Sequence, residues 1–166
     1  NPFFVGRFDV DSATISGRTV RYATYPVGSV TKDVRASAWE LFKRAIPVEA
    51  RVFGETPWET YTVMQIADSA YQGYSGLEHA NSHVDIVGDA SDIDELQSLY
   101  AHEIFHSWNV KRLRPADLVP HRYDRRQPPR WLWMSEGIPD YHADLAAVRA
   151  GVGAEAGFSA LHTGGV

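Results

Sequence analysis

The sequence predicts an α+β fold in which a mixed β-sheet is followed by two long helices. Residues 1–90 hold several short segments rich in β-branched and aromatic residues, separated by turn residues, with one helical segment among them. Residues 91–150 instead carry apolar residues at helical spacing in two stretches, separated by a proline-rich loop at residues 112–130. With 166 residues and 44% hydrophobic content, the chain can bury one sizeable core, so we expect a single domain over residues 1–166.

The sheet is predicted from five segments in the first half of the chain. The clearest is residues 18–25, where the side chains alternate between two faces. The strands are predicted at residues 3–10, 18–25, 59–66, 74–78 and 83–87. Residues 11–17 would form the turn between the first two strands, and Gly88 and Asp89 a turn after the last one.

One helix is predicted inside this sheet-forming half. Residues 31–46 place an apolar stripe on one side of a helix, which is typical of a helix that packs on a core. We expect the helix to end before Pro47, because proline removes a backbone donor and clashes with the preceding turn.

Two further helices are predicted in the second half. The first has Ser91 as its N-cap and carries negative charge in its first turn, where the helix dipole favours it. The second lies within residues 131–150 and ends at Gly151. Pro139 is tolerated only in a first helical turn, which would put the start of this helix near Ser135 or Glu136.

Composition and charge exclude several classes of function. A net charge of −5 and a pI near 5.8 argue against nucleic acid or an anionic membrane surface as a partner. The sequence holds no apolar run of about 18 residues, so no membrane span is expected. It holds no cysteine, which excludes disulfides and cysteine-ligated zinc and leaves the cellular compartment open.

The segment His102-Glu-Ile-Phe-His106 carries the clearest chemical signal. Histidines four residues apart lie on one helix face, one turn apart, so both imidazoles can reach one metal ion. Glu103 lies beside them, where a general base could meet a water on that metal. This is the His-Glu-x-x-His pattern of zinc peptidases.

The alternative is an ordinary helix with two partly exposed histidines and a glutamate. The helix around the motif is strongly apolar, with Leu96, Leu99, Tyr100 and Ile104 at helical spacing. Such a helix is mostly buried, and buried polar side chains are costly unless they have partners. A metal ion would provide those partners.

Glu136 is the best candidate for the third protein ligand that such a site needs. It follows an aromatic run and opens a predicted helix. Asp140 lies one turn further on, where a carboxylate could orient a ligand histidine. For Asp140, an ordinary acidic helix face is an equally good interpretation.

The run HEIFHSWNVKRLRP, from His102 to Pro115, resembles the glycyl aminopeptidase family of metallopeptidases. These enzymes are gluzincins, which hold zinc with two helix histidines and a downstream glutamate. Two further segments agree, in the expected order. Residues 76–79, Gly-Leu-Glu-His, resemble a Gly-Leu-Glu-His segment of the family, and residues 131–141 are similar to its third-ligand segment.

This resemblance implies a thermolysin-like N-terminal catalytic lobe, with residues 1–90 forming the sheet part and residues 91–150 the zinc helices. It implies one Zn²⁺ per chain held by His102, His106 and Glu136, with Glu103 as general base toward a zinc-activated water. The remaining domains of a full-length enzyme would be partners of this lobe. A later helical lobe is expected to be absent here, so that the isolated chain would bind zinc and catalyse poorly.

The resemblance also implies a substrate class, namely peptides with a free N-terminus that begin with Gly or Ala. Gly76, Leu77 and Glu78 would form the edge strand of the cleft, where a peptide adds by main-chain hydrogen bonds. The Glu78 carboxylate would bind the α-amino group of the substrate. The sequence departs from the family at Ser75, where a second Gly is usual, and at Pro139-Asp140, which leaves fine substrate preference in doubt.

Two other functions stay open at this point. One is a zinc endopeptidase that cleaves internal bonds, and the other is a non-catalytic interaction domain that zinc stabilises. The pattern does not decide whether His79 and His83 line the site or lie on the surface. It also assigns no residue to stabilisation of the oxyanion.

Overall fold

A computed structural model describes residues 3–88, 93–120, 122, 124–127 and 130–151 of the chain. The strands are β1 (Asp9–Ile15), β2 (Arg18–Tyr25), β3 (Thr60–Ala67), β4 (Tyr74–Glu78) and β5 (Ser82–Val87). The helices are α1 (Lys32–Phe53), α2 (Ile93–Phe105) and α3 (Leu132–Ala150), with a short 3₁₀ helix at Ala116–Leu118. The predicted α+β class, a mixed sheet followed by two helices, is confirmed.

The five strands form one mixed sheet in the order β1-β2-β3-β5-β4. The central strands β2, β3 and β5 are parallel, whereas β1 and β4 pair antiparallel at the two ends. The parallel step from β2 to β3 is made through α1, the type of crossover connection that parallel strands require. The predicted strand at residues 74–78 is therefore an edge strand of the sheet.

The first hairpin differs from the prediction. The first strand was predicted at residues 3–10 and its turn at residues 11–17, but β1 runs to Ile15 and the turn is only Ser16-Gly17. Both turn residues have positive φ, 50° and 76°, as a two-residue type I′ hairpin turn requires. The Ser-Gly pair was the local signal for this short turn.

The predicted end of the first helix at Ile46 is wrong. Helix α1 begins after the N-cap Thr31, continues through Pro47 and ends at Gly54, which has the left-handed φ of 76°. Residues on both sides of the proline, including Ile46 and Val48, are buried. The burial of this continuous apolar face outweighs the hydrogen bond that the proline removes.

Pro139 also lies deeper in its helix than predicted. Helix α3 begins at Leu132, not near Ser135, and ends at the left-handed Gly151 as predicted. Its buried positions, including Ser135, Ala143 and Ala146, continue on both sides of the proline and hold the helix against its neighbours. The predicted N-cap Ser91, the turn residue Asp89 and residues 152–166 lie outside the described residues.

The core lies between one face of the sheet and helices α1 and α2. Apolar side chains of α1, such as Leu41 and Phe42, are fully buried there. The sheet face beneath them is unusually polar, because it carries fully buried tyrosine, threonine, glutamine, histidine and aspartate side chains. These are Tyr22, Thr24, Tyr61, Gln65, His83 and Asp85. Within the described residues, no helix is both long and apolar enough to cross a bilayer.

Two glycines give a matched test of the helix boundaries. Gly54→Ala should lower the free energy of unfolding by about 1 kcal/mol, because alanine disfavours the left-handed φ of 76° at this helix end. Gly137→Ala, within α3, should instead stabilise by about 0.5–1 kcal/mol. An added Cβ meets nothing within 4 Å at either position, so backbone conformation alone sets the signs. Urea unfolding of both variants measures the difference, and equal shifts would contradict these boundaries.

Candidate metal centre

The packing of α2 against α3 brings three metal-ligating side chains to one point. His102 lies in the last turn of α2, and His106 follows the last helical residue directly. Their Nε2 atoms are 2.9 Å apart, and Glu136 Oε2, from the early part of α3, lies 3.4 Å from each of them. The three donor atoms all lie within 4.8 Å of one another.

The second nitrogen of each imidazole ring has its own partner. His102 Nδ1 lies 2.6 Å from Asp140 Oδ1, and His106 Nδ1 lies 2.8 Å from the Asn109 carbonyl oxygen. Asn109 is itself held, since its side-chain amide donates to the Met134 carbonyl at 2.9 Å. Hydrogen bonds of this kind fix the orientation of a ligand histidine and leave Nε2 free for a metal.

The residues present fit a divalent metal. With each Nδ1–H donating to an oxygen, each neutral ring turns an Nε2 lone pair toward the other ring. Two lone pairs 2.9 Å apart, with a carboxylate oxygen 3.4 Å from both, favour a cation between them, which can be a metal ion or a proton. Two imidazole nitrogens and one carboxylate oxygen are a donor set that would suit zinc, with His102, His106 and Glu136 as the residues that would hold it.

The electrostatics of the metal-free site agree with this preference for a cation. When a ring takes up a second proton on Nε2, it can donate to Glu136, and such hydrogen bonds from His102 and His106 lower the pKa of the Glu136 carboxyl from 4.5 to about 2. Burial lowers the pKa of His102, but the Glu136 carboxylate and its acidic neighbours outweigh burial and raise the pKa above 6.5. The three groups therefore attract positive charge, which a proton or a metal ion can supply.

Glu103 lies at the floor of the site with only 4% of its surface exposed. Burial raises the pKa of its carboxyl from 4.5 to about 7, and the Asp85 carboxylate acts in the same direction, while three nearby histidines oppose it. Glu103 Oε2 has no hydrogen-bond partner within the described protein. A carboxylate with a pKa near neutrality and an unused oxygen is suited to exchange a proton.

Gly76 on the edge strand makes room for this carboxylate. A Cβ atom built on Gly76 would lie 2.1 Å from Glu103 Oε1 and 2.4 Å from its carboxyl carbon. No side chain fits there without moving Glu103. The glycine therefore allows the edge strand and the Glu103 carboxylate to be in direct contact.

Glu78 and Leu77, on the same strand, have different surroundings. Glu78 is partly buried, and its Oε1 forms an ion pair of 3.0 Å with Lys111 Nζ. One of its carboxylate oxygens also lies within 4.8 Å of ligand atoms of Glu103 and His106. The Leu77 side chain lies on the opposite face of the strand from Gly76 and Glu78 and is 58% exposed.

The end of α2 is held by the sheet beneath it. In a continuing helix the Ser107 N–H would bond to the Glu103 carbonyl, but it donates to the Ile104 carbonyl instead. The Tyr61 hydroxyl takes that position and donates to the Glu103 carbonyl at 3.3 Å. This contact fixes the backbone of Glu103 to strand β3.

The polar contacts continue below this tyrosine. The Tyr61 hydroxyl also lies 2.9 Å from His83 Nδ1, and His83 Nε2 lies 3.1 Å from Asp85 Oδ2 without hydrogen-bond alignment. His83 is fully buried under the site, so it neither lines the site nor lies on the surface, the two positions considered from the sequence. His79 lies partly exposed after the edge strand, with Nδ1 3.1 Å from the Leu77 carbonyl.

Sequence reasoning did not single out Asn109, Lys111 or Tyr61. Asn109 and Lys111 lie inside the run from His102 to Pro115, so that run was the available signal for both. Tyr61 gave no signal, because its contact with Glu103 joins residues 42 apart in the chain.

The second half of the chain is similar to a known peptidase family. Residues 95–163 match the family model of the M61 glycyl aminopeptidases. The resemblance predicted from the sequence is therefore confirmed over this part of the chain. None of the curated proteins compared with the sequence matches it significantly.

Solved structures of peptidases share the fold over nearly the whole chain. An aminopeptidase N family protein from Idiomarina loihiensis has a TM-score of 0.80 at 24% identity over 92% of this chain. A two-domain M1 zinc metallopeptidase, a glutamate-to-alanine mutant bound to L-arginine, has a TM-score of 0.57 at 20% identity over 88% of this chain. The chain spans only 27% and 30% of the lengths of these two proteins.

The raised pKa of Glu103 gives a stability prediction for the metal-free protein. The unfolded chain releases this proton near pH 4.5, whereas the folded chain holds it to about pH 7, so ionisation destabilises the fold increasingly across that range. Glu103→Gln removes this cost. Its stability relative to the wild type should rise between pH 4.5 and 7 by on the order of 3 kcal/mol and then level off.

Thermal and urea unfolding of zinc-free protein at several pH values measures this difference. Glu40→Gln, at an exposed position on α1, is the control and should show no such trend. A Glu103→Gln difference that does not change with pH would contradict the raised pKa.

Proposed function

We propose that this chain is the catalytic lobe of a zinc aminopeptidase that removes N-terminal residues, with a preference for Gly or Ala. One observation carries the proposal: two imidazole nitrogens and a carboxylate oxygen converge within 3.4 Å beside the buried carboxylate of Glu103. The M61 glycyl aminopeptidase match supports the reaction class and the preference.

In this proposal His102, His106 and Glu136 hold one zinc ion per chain. Asp140 and the Asn109 carbonyl orient the two imidazole rings, which keeps both Nε2 atoms available as ligands. Zinc at this position supplies a Lewis acid that polarises the scissile carbonyl and lowers the pKa of water.

Glu103 is the general base and acid in this proposal. Its carboxylate accepts a proton from the attacking water and returns it to the nitrogen of the leaving amine. Its position supports both transfers, because the carboxylate is buried beside the three ligand candidates and its Oε2 has no hydrogen-bond partner among the described residues. Gly76 keeps the carboxylate in reach by leaving the space above it free of side-chain atoms.

Glu78 and the edge strand are assigned to the substrate. A peptide can add to β4 through the main chain of Gly76 and Leu77, since β4 lies at the end of the sheet. Glu78 then faces the N-terminus, and its carboxylate binds the protonated α-amine. Its proximity to Glu103 and His106, within 4.8 Å, supports a position next to the scissile bond.

The metal assignment is tested by zinc content. Purified protein should hold about one zinc per chain. His102→Ala should lose most of it, because the two donors that remain, His106 and Glu136, bind zinc too weakly without a third protein ligand. His79→Ala is the matched control, since this histidine lies outside the converging donor set. Elemental analysis after dialysis measures both, and equal zinc in the two variants would overturn the assignment.

The role of Glu103 separates a peptidase from a zinc-stabilised interaction domain. Glu103→Gln in the complete protein should keep zinc and lose activity by about 10²–10⁴-fold, the usual contribution of general acid–base catalysis. Initial rates with alanyl and glycyl amide substrates, together with zinc analysis, provide the measurement. A non-catalytic domain would have no activity to lose, and unchanged turnover would exclude Glu103 as the base.

The role of Glu78 separates an aminopeptidase from an endopeptidase. Glu78→Gln should abolish the preference for a free over an acetylated N-terminus, because the anion that pairs with the α-amine is gone. The ratio of kcat/KM for the same peptide with free and acetylated N-terminus measures this preference. An endopeptidase would show no preference in the wild type and no change in the variant.

A further inference from the structure

The carboxylate of Glu78 already has an ammonium partner supplied by the chain itself. Lys111 Nζ lies 3.0 Å from Glu78 Oε1, and the side chains are only 26% and 21% exposed, respectively. An ion pair that is mostly shielded from water is held more firmly than a surface pair. The pair joins the edge strand to the segment that follows His106.

The backbone of Lys111 is fixed to the segment that directly follows α2. Its N–H donates to the His106 carbonyl at 3.1 Å, and its own carbonyl accepts a hydrogen bond from the Arg114 guanidinium at 2.5 Å. The lysine side chain therefore starts from an anchored position and reaches across to β4. The ion pair with Glu78 is therefore made from the same turn that carries the zinc-ligand candidate His106.

Glu78 thus lies between two sets of groups. On one side is the Lys111 ammonium, and within 4.8 Å of its carboxylate are Glu103 and His106. The position that the proposed function gives to the α-ammonium of a substrate is next to this same carboxylate. A primary ammonium from the chain and a primary ammonium from the substrate are the same chemical group, and both carry one positive charge.

We propose that Lys111 is a specificity-determining residue, whose ammonium occupies Glu78 in the substrate-free enzyme and competes with the N-terminal ammonium of the peptide. This inference rests on the proposed function, in which Glu78 binds the α-amine. The competition lowers the affinity for every ligand with a free amine, including the released amino acid. It also keeps a partly buried carboxylate paired when no substrate is present.

The chemistry of lysine suits a partner that must be displaced. Its ammonium is a single point charge on a flexible stem, so it can move toward solvent when a second ammonium arrives. An arginine at this position would present a rigid fork that binds a carboxylate through two parallel hydrogen bonds. An uncharged variant and an arginine variant should therefore shift the affinity for amines in opposite directions from the wild type.

The test uses the complete zinc-loaded protein with Lys111→Met, Lys111→Arg and, as a control, Lys43→Met at an exposed position on α1. Lys111→Met should lower KM for a glycyl or alanyl amide substrate by about tenfold, the size expected for removing one competing ion pair. Its kcat should change by less than about twofold, because Lys111 does not contact the reacting groups. Lys111→Arg should raise KM, and Lys43→Met should match the wild type.

Glycinamide and N-acetylglycinamide serve as probes that do not depend on turnover. Calorimetric titration of Lys111→Met should show tighter binding of glycinamide than in the wild type, in proportion to the change in KM. Binding of N-acetylglycinamide, which has no ammonium, should not change. Circular dichroism and zinc content identify any variant that fails to fold, and Lys111→Arg then carries the test by itself through its raised KM.

The inference is overturned if Lys111→Met raises KM or weakens glycinamide binding, since Lys111 would then be holding Glu78 in its active position. It is also overturned if both probes shift equally. The Glu78→Gln variant distinguishes a failure of the proposed amine site from a failure of the role of Lys111. If that variant keeps the preference for a free N-terminus, the proposed amine site is wrong, and if it loses the preference while Lys111→Met does not lower KM, only the role of Lys111 fails.

Discussion

The structure depends on one constraint, which is that two imidazole rings face each other through their Nε2 atoms. Asp140 and the Asn109 carbonyl hold the opposite nitrogens, so the rings cannot turn away, and the Nε2 atoms remain 2.9 Å apart. Electrostatic repulsion between the lone pairs must then be relieved by a cation. Helix α3 takes part in the same arrangement, because it carries both Glu136, which adds negative charge at that point, and Asp140, whose carboxylate contacts the other nitrogen of His102.

A polar layer under α2 connects this constraint to the sheet. The Tyr61 hydroxyl bonds to the backbone of Glu103, and His83 and Asp85 lie directly beneath it in full burial. Buried polar groups stabilise a fold less than a well-packed apolar core of the same volume. Here they fix the end of one helix to the sheet, and this helix end carries the proposed base and two of the metal-ligand candidates. The buried polar layer therefore contributes less to the stability of the core and more to the fixed position of Glu103 and the two histidines.

Much of the fold follows from local signals, and the errors have a common physical cause. β2 and β4 were predicted with their observed bounds, because alternation and turn residues are local. Pro47 was predicted to end α1 and Pro139 to lie in the first turn of α3, whereas packing on both sides of each proline keeps α1 and α3 continuous. The spacing of His102, Glu103 and His106 made the site recognisable within five residues. The pairing of Lys111 with Glu78 could not be predicted, because it depends on how the segment after α2 returns over the edge strand 33 residues earlier.

The exposed end of the sheet at β4 has a consequence for how the protein behaves in concentrated solution. The strand that would accept an extended peptide can equally accept an extended segment of any other chain, since main-chain hydrogen bonds do not distinguish between them. Two features of β4 oppose such self-association. It is only five residues long, and Gly76 at its centre lowers its tendency to template a longer sheet. The glycine that admits the Glu103 carboxylate thus also protects the open edge against aggregation.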